Sequence, residues 1–109
     1  MMEKMQKRAE EVSEFMKCFG SPHRLMILCQ LVEGEKSVTQ LIDATGLAQT
    51  SMSQHLGKLK NEGLIDYRRD HRTLYYSICN PHVMEIMNTL HDIYCKDFSN
   101  SRNKKPAKR

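Results

Sequence analysis

The stretch SVTQLIDATGLAQTSMSQHLGKLKNEGL, residues 37–64, decides the fold. Ser37 and Gln40 have the spacing of a capping box, in which each side chain accepts a hydrogen bond from the backbone N–H of the other residue. The residues that follow predict a short amphipathic helix, because apolar side chains recur at i, i+3 and i+4: Val38, Leu41 and Ile42. Gly46 ends this helix, since glycine readily adopts the positive φ found at helix C-termini.

A second helix is predicted to begin after Leu47 and Ala48 and to end at Gly63. Its inward stripe has apolar residues at i, i+4 and i+7: Met52, Leu56 and Leu59. Its other face carries hydrogen-bonding or basic side chains: Gln49, Thr50, Ser53, Gln54 and Lys58. A helix with these two faces is suited to reading base edges in a DNA major groove, with its N-terminus near phosphate. Taken alone, the stretch also fits an ordinary helical hairpin.

The length of 109 residues indicates a single domain, which we place at residues 1–99, followed by a basic tail at residues 100–109 that we expect to be disordered. No apolar run is long enough to span a membrane, and the N-terminus lacks the apolar core of an export signal. We therefore expect a cytoplasmic protein. Its four cysteines have no CxxC spacing and should be thiols rather than a structural disulfide framework.

The net charge of +4 comes from the tail. Residues 102–109 hold five of the 17 basic residues and none of the 13 acidic ones, so the rest of the chain has a net charge of −1. DNA affinity therefore depends on where individual charges lie rather than on a polycationic body. The tail either adds phosphate contacts or keeps the protein soluble.

The first helix is predicted over residues 3–19, with apolar residues spaced four and three apart as in a heptad seam: Met5, Ala9, Val12, Met16 and Phe19. So narrow a seam packs on another helix, within the chain or across a dimer. Ser21 and Pro22 cap and open the next helix, to about Val32, and Cys29 lies on its inward stripe. The simplest interpretation of Cys29 there is a small core residue.

The last helix is predicted to begin at Asn80-Pro81 and to run to about Phe98. Its apolar stripe is broad: Val83, Ile86, Met87, Leu90, Ile93 and Tyr94. On a helical wheel Cys95 lies at the edge of this stripe, a position compatible with the partial access that a redox-responsive thiol needs.

Two β-rich runs, LIDYRR (residues 64–69) and TLYYSI (residues 73–78), predict a hairpin with a basic tip. After a helix-turn-helix such a hairpin is a wing, whose Arg69, His71 and Arg72 would lie along phosphates or enter a minor groove. The alternative for these charges is a solvated turn. The predicted fold class is mainly α with a small β-hairpin, a winged helix-turn-helix.

Residues 3–98 resemble the ArsR/SmtB family of dimeric bacterial transcriptional repressors. The resemblance rests on SPHRLMILCQLVEGEKSV, QTSMSQHLGKLKNEGLI and YRRDHRTLYYSI. Within the family, RLMILCQLVEGEKSV and LHDIYC are similar to the persulfide- and redox-sensing subgroup of the BigR/SqrR/HlyU type. Ala48 departs from the family pattern, because many members have a capping serine there, typically contributing about 1 kcal/mol.

The resemblance implies a homodimer that binds double-stranded operator DNA and needs no cofactor. The first and last helices would form the dimer contact: Met5, Ala9, Val12, Met16, Phe19, Ile86, Met87, Leu90 and Tyr94. The groove and wing contacts would come from Gln49, Thr50, Ser53, Gln54, Lys58, Arg69, His71 and Arg72. It also implies that Cys29 and Cys95 are sensing thiols, and that a disulfide or sulfur-containing bridge between them, formed by persulfides or other oxidants, weakens DNA binding.

Metal sensing is the alternative inside the family. The thiolate metal site needs cysteines around the first helix of the helix-turn-helix, and SVTQLID has none. The zinc site of the last helix uses an Asp-x-His spacing that the candidates here do not reproduce: His82, Glu85, His91 and Asp92. Because His82 and His91 would lie on opposite helix faces, they could bind one ion only across a dimer.

Two other classes stay open: a sulfur-transfer enzyme using Cys95, and a winged helix that binds an acidic protein. No anion-cradling loop surrounds either sensing cysteine, which argues against the enzyme. Cys18 and Cys79 lack the subgroup spacing and are interpreted as bystanders, although four thiols allow three fully paired connectivities.

Overall fold

Five α-helices and a small antiparallel sheet make up residues 2–95, the part of the chain that this computed structural model describes. The helices are α1 (Met2–Met16), α2 (Pro22–Val32), α3 (Val38–Thr45), α4 (Gln49–Asn61) and α5 (Pro81–Leu90). The strands are β1 (Lys36–Ser37), β2 (Ile65–Asp70) and β3 (Thr73–Ile78). The helix-turn-helix (α3 and α4) followed by a hairpin wing (β2 and β3) confirms the predicted architecture. The basic tail at residues 100–109 lies outside the described residues.

Local capping signals place the helix starts. Ser21 accepts a hydrogen bond from the Arg24 N–H at 3.4 Å and opens α2. Ser37 and Gln40 form both bonds of the capping box at α3, at 3.2 and 2.8 Å. The Asn80 side chain accepts from two N–H groups of the first turn of α5. All three caps were predicted from the sequence and are confirmed.

The core is apolar and comes from α2, α3, α4, α5, the start of the wing and Cys18. The largest fully buried side chains are Ile27, Leu28, Leu31, Leu41, Met52, Leu56, Leu59, Ile65, Val83 and Met87. No residue of α1 is buried. Helices α2 to α5 therefore hold the domain together, and α1 projects a largely exposed surface. No helix within residues 2–95 is long and apolar enough to cross a membrane.

The wing belongs to a three-stranded sheet of order β1-β3-β2, rather than being a separate hairpin. Lys36 and Ser37 pair with Tyr76 and Tyr75 of β3. A two-residue strand has no alternating pattern of its own, so the sequence alone carries no signal for β1. Asp70, which follows the predicted end of the first run at Arg69, also lies in a strand, paired with Thr73.

The first and last helices differ from the prediction at their C-terminal ends. The helix predicted to reach Phe19 ends at Met16, and a 3₁₀ turn, Lys17–Phe19, follows. Because a 3₁₀ turn has three residues per turn, it rotates Cys18 out of the α-helical register, and Cys18 is 2% exposed. Likewise α5 ends at Leu90 and continues as one π-helical turn, His91–Cys95. The predicted end near Phe98 lies outside the described residues.

Candidate nucleic-acid interface

Helix α4 has the two faces expected of a recognition helix. Met52, Leu56 and Leu59 are buried on its inner side. The side chains predicted to face DNA are all exposed on the other: Gln49, Thr50, Ser53, Gln54 and Lys58. An open cleft of about 1200 Å³ separates α1 from α4, so α1 does not cover the polar face of α4.

The turn between α3 and α4 is held by local hydrogen bonds. Gly46 adopts φ +79° and donates its N–H to the Ile42 carbonyl at 2.8 Å. The Thr45 hydroxyl donates to the Leu41 carbonyl and accepts from the Leu47 N–H, at 2.7 and 3.3 Å. Ala48 offers no side-chain cap to α4. The first N–H groups of α4 are therefore available to a phosphate oxygen.

Two contacts join α4 to α2. Arg24 Nη2 lies 3.2 Å from Glu62 Oε2, and the Arg24 side chain is only 11% exposed. The rings of His23 and His55 meet edge to face. Burial, followed by the positive charges of His23, Arg24 and Lys58, lowers the pKa of His55. Sequence reasoning missed both contacts, because their partners lie more than thirty positions apart and share no motif.

A third set of contacts joins α4 to the base of the wing. Lys60 Nζ lies 3.7 Å from Asp66 Oδ1 and 5.3 Å from the centroid of the Tyr67 ring. Tyr67 packs edge to face on Tyr76 of β3, with centroids 5.4 Å apart. The recognition helix and the wing therefore share a set of side chains that sets their relative position.

The wing tip is a two-residue loop, His71-Arg72. His71 has φ +61°, a conformation usually taken by glycine or asparagine in such loops, and its Nδ1 lies 2.8 Å from Asp70 Oδ1. Arg69, His71 and Arg72 are all exposed, as predicted. Within residues 2–95 no ion pair holds Arg69 or Arg72, whereas Arg68 is bonded to Glu35. The basic side chains at and next to the tip are thus available to a phosphate strand.

The predicted sensing thiols lie on α2 and on the π-helical turn that follows α5. Cys29 is half-buried on α2, against the core, and α2 packs on α5. Cys95 ends the π-helical turn that continues α5, and its side chain lies outside the described residues. Of the other thiols, Cys18 is buried and Cys79 is exposed, with its Sγ 3.7 Å from the Gly63 carbonyl. Burial raises the pKa of Cys18.

The predicted dimer contacts lie mainly on an exposed apolar surface. Met5, Val12 and Met16 of α1 are 66%, 48% and 45% exposed, and Tyr94 is 68% exposed. Ala9 is exposed, and Phe19, Ile86 and Leu90 are half-buried. Met87 differs, because it is 2% exposed and belongs to the core of the protomer, out of reach of a partner subunit.

His82 and His91 lie at opposite ends of α5. His82 is exposed in the first turn of α5, and His91 is half-buried at the start of the π-helical turn. Among the described residues, no three His, Cys, Asp or Glu side chains converge to hold a metal ion.

Comparison with known proteins agrees with this geometry. Residues 21–67 match the family pattern described as bacterial regulatory protein, arsR family. A biofilm growth-associated repressor of Xylella fastidiosa is 39% identical over 93 residues, which are 85% of this chain and 82% of that protein. The crystal structure of the Xylella fastidiosa repressor BigR superposes with a TM-score of 0.76 at 38% identity, covering 87% of this chain and 97% of that one. Reduced HlyU from Vibrio cholerae has a TM-score of 0.80 at 33% identity, covering 84% and 97%.

These relatives are regulators rather than enzymes, and the match extends over most of both chains. The polar face of α4 and the basic wing tip are both exposed. The chain therefore belongs to the ArsR family of bacterial regulatory proteins and is a DNA-binding transcriptional repressor.

Proposed function

We propose that this repressor is a cytoplasmic homodimer that releases operator DNA when reactive sulfur species, or other oxidants, bridge Cys29 to Cys95. The observation that carries the proposal is the packing of α2 against α5. Cys29 lies on the first of these helices, and Cys95 ends the π-helical continuation of the second. Single π-helical turns occur frequently at functional sites. One of the similar structures is HlyU in its reduced form, which supports a role for oxidation state in this branch of the family.

The bridge forms by thiol–disulfide chemistry. A low-molecular-weight persulfide transfers its outer sulfur to one protein thiolate, leaving a protein persulfide and the free small thiol. The second thiolate then attacks the protein persulfide at its inner sulfur, forms the disulfide and releases hydrogen sulfide. If both thiols are first converted to persulfides, their condensation gives a trisulfide and again releases hydrogen sulfide.

A bridge between Cys29 and Cys95 would affect the recognition helix α4 through the contacts between α2 and α4. Arg24 pairs with Glu62 at the end of α4, and His23 packs on His55 in its middle. A shift of α2 therefore displaces α4. A coupling free energy of about 1–3 kcal/mol would lower DNA affinity roughly 5- to 150-fold.

The dimer supplies the geometry for operator binding. We assign the contact with a second subunit to the exposed apolar residues of α1 and to Ile93 and Tyr94. A two-fold axis then places two recognition helices in successive major grooves, about 34–36 Å apart. Small changes in this spacing are enough to weaken binding to a palindromic site.

The test is a titration of the reduced protein against duplex DNA from its own upstream region, followed by fluorescence anisotropy. The titration is repeated after treatment with glutathione persulfide, peroxide, zinc or arsenite, and intact mass is recorded each time. We expect persulfide to lower affinity and to shift the mass by the loss of two hydrogens, or by that loss plus added sulfur.

Variants assign the response to residues. Cys29→Ser and Cys95→Ser should each keep DNA binding and lose the response to persulfide. Cys79→Ser, which removes an exposed thiol at the wing base, is the matched control and should respond like the wild type. Release of DNA by persulfide in Cys29→Ser, or a response to metal alone, would contradict the proposed switch.

A further inference from the structure

A single arginine spans the small sheet from one outer strand to the other. Arg68 lies on β2, and its guanidinium stacks over Tyr75 of the central strand, with Cζ 4.8 Å from the ring centroid. It then reaches Glu35, immediately before β1, where Nε lies 2.9 and 3.0 Å from the two carboxylate oxygens. Nη2 makes a third bond to Oε1 at 2.5 Å. We name this contact, formed by Glu35, Arg68 and Tyr75, the Arg68 bracket.

The bracket reinforces the weakest join in the wing. The strand β1 has only two residues, Lys36 and Ser37, and two ladder pairs attach it to β3. Ser37 is also the N-cap of α3, so β1 is the direct connection between the wing and the first helix of the helix-turn-helix. A tie between Glu35 and β2 therefore restrains the wing relative to that motif.

The geometry distinguishes Arg68 from the basic residues predicted to bind DNA. Isolated exposed ion pairs contribute little, but a fork-like contact with both carboxylate oxygens, stacked on an aromatic ring, is a specific arrangement. The side-chain hydrogen bond between Glu35 and Arg68 lowers the pKa of Glu35 and raises that of Arg68. Register places Arg68 and Tyr75 directly opposite each other, and Arg69, one residue on, points to the other face of the sheet.

We infer that Glu35 and Arg68 are positioning residues for DNA binding. The bracket fixes the wing against the helix-turn-helix, so that no conformational entropy of the wing is lost when its tip binds DNA. This inference rests on the proposed contact between the wing and DNA. Without the bracket, the wing samples other positions, and the measured affinity falls in proportion to the fraction of protein whose wing is correctly placed.

The experiment measures operator affinity at several salt concentrations for Glu35→Gln and Arg68→Lys. Lysine keeps the charge of Arg68 and removes the fork. We expect each variant to bind about 3- to 10-fold more weakly with an unchanged salt slope, and the double variant to bind no more weakly than either alone. Amide hydrogen exchange at Lys36 and Tyr76 should be faster in both. Glu33→Gln, in the same loop and with its carboxylate 3.5 Å from Lys36 Nζ rather than in the bracket, is the matched control.

Two results would overturn the inference. One is tighter binding by Glu35→Gln with a steeper salt slope, which would make Arg68 a phosphate contact that Glu35 holds back. The other is unchanged affinity and exchange in both variants. The variant Arg72→Gln distinguishes failure of the bracket inference from failure of the proposed contact between the wing and DNA. If it weakens binding while the bracket variants do not, the bracket inference alone fails, whereas no effect of Arg72→Gln means that the proposed wing contact is wrong.

Discussion

His23 and His55 meet edge to face across the contact between α2 and α4, with ring centroids 5.5 Å apart. The same contact holds the ion pair of Arg24 with Glu62. Burial and the surrounding positive charge lower the pKa of His55, so the folded protein favours its neutral ring. The stability of the contact between α2 and α4 is therefore linked to pH through His55.

We expect stability to fall as pH is lowered, because unfolding frees His55 to bind a proton. In the unfolded chain His55 titrates near its ordinary value of 6.5, and in the folded protein it titrates lower. Between those two pKa values the unfolded state binds more protons, so the free energy of unfolding decreases as pH falls through 6.5 and levels off below the folded pKa. Urea unfolding at about pH 7.5 and about pH 5.5 measures the difference.

His55→Gln should reduce this pH dependence. His82→Gln, which removes an exposed histidine at the start of α5, is the control and should retain it. Equal pH dependence in the wild type and His55→Gln would show that other groups control it.

Val12→Glu should weaken the proposed dimer and leave the fold intact. Val12 is 48% exposed on the apolar seam of α1, a helix with no buried residue, so the charge disturbs only a surface that a partner covers. We expect the dissociation constant of the dimer to rise by about tenfold or more, measured by sedimentation velocity. Lys7→Glu makes a larger change of charge on the opposite face of α1 and should leave the dimer unchanged. Equal effects of the two variants would contradict the proposed contact.

Alkylation should distinguish the two thiols that we interpret as bystanders. Cys79 is exposed, whereas Cys18 is buried and burial raises its thiol pKa. Because the thiolate is the reactive form, iodoacetamide should modify Cys79 at least about tenfold faster than Cys18 in the folded protein. Peptide mass mapping over time measures both rates, and denaturant should bring them together. Equal rates without denaturant would mean that Cys18 is accessible in solution.

Ala48→Ser should stabilise the protein. Ala48 has extended dihedral angles, φ −68° and ψ 155°, and makes no side-chain cap at the start of α4. A serine hydroxyl there can accept from an N–H of the first turn, which is typically worth about 0.5–1 kcal/mol in the free energy of unfolding. Urea unfolding measures the gain. Ala44→Ser, exposed within α3, is the control and should not stabilise; a gain in both variants would rule out capping as the cause.

The parts of the fold that the sequence predicts are those that depend on residues close together in the chain. Ser37 with Gln40, Ser21 with Pro22, and Gly46 act within one helical turn, so their spacing alone identifies the boundaries they form. The periodicity of α4 likewise separates its buried stripe from its polar face. These local signals were sufficient to predict the winged helix-turn-helix.

The parts that the sequence did not predict depend on distant partners. Strand β1 exists because Lys36 and Ser37 meet Tyr76 and Tyr75, some forty positions later. Cys18 is buried because α1 tightens into a 3₁₀ turn at Lys17, which no seam of apolar residues indicates. In the candidate interface, the exposed polar residues were predicted individually, but the pairs that set their positions, Arg24 with Glu62 and Arg68 with Glu35, were not.

Helix α1 has a consequence for gene control. None of its 15 residues is fully buried within their own subunit, Phe15 alone among them packs partly on the core, and a free helix of that length is marginally stable in water. In the proposed homodimer its apolar seam is buried on assembly, so the stability of the repressor depends on subunit concentration. Occupancy of a two-fold operator by a newly made pool of subunits then rises with the square of their number. The cell's copy number therefore sets a threshold for silencing before any chemical signal acts.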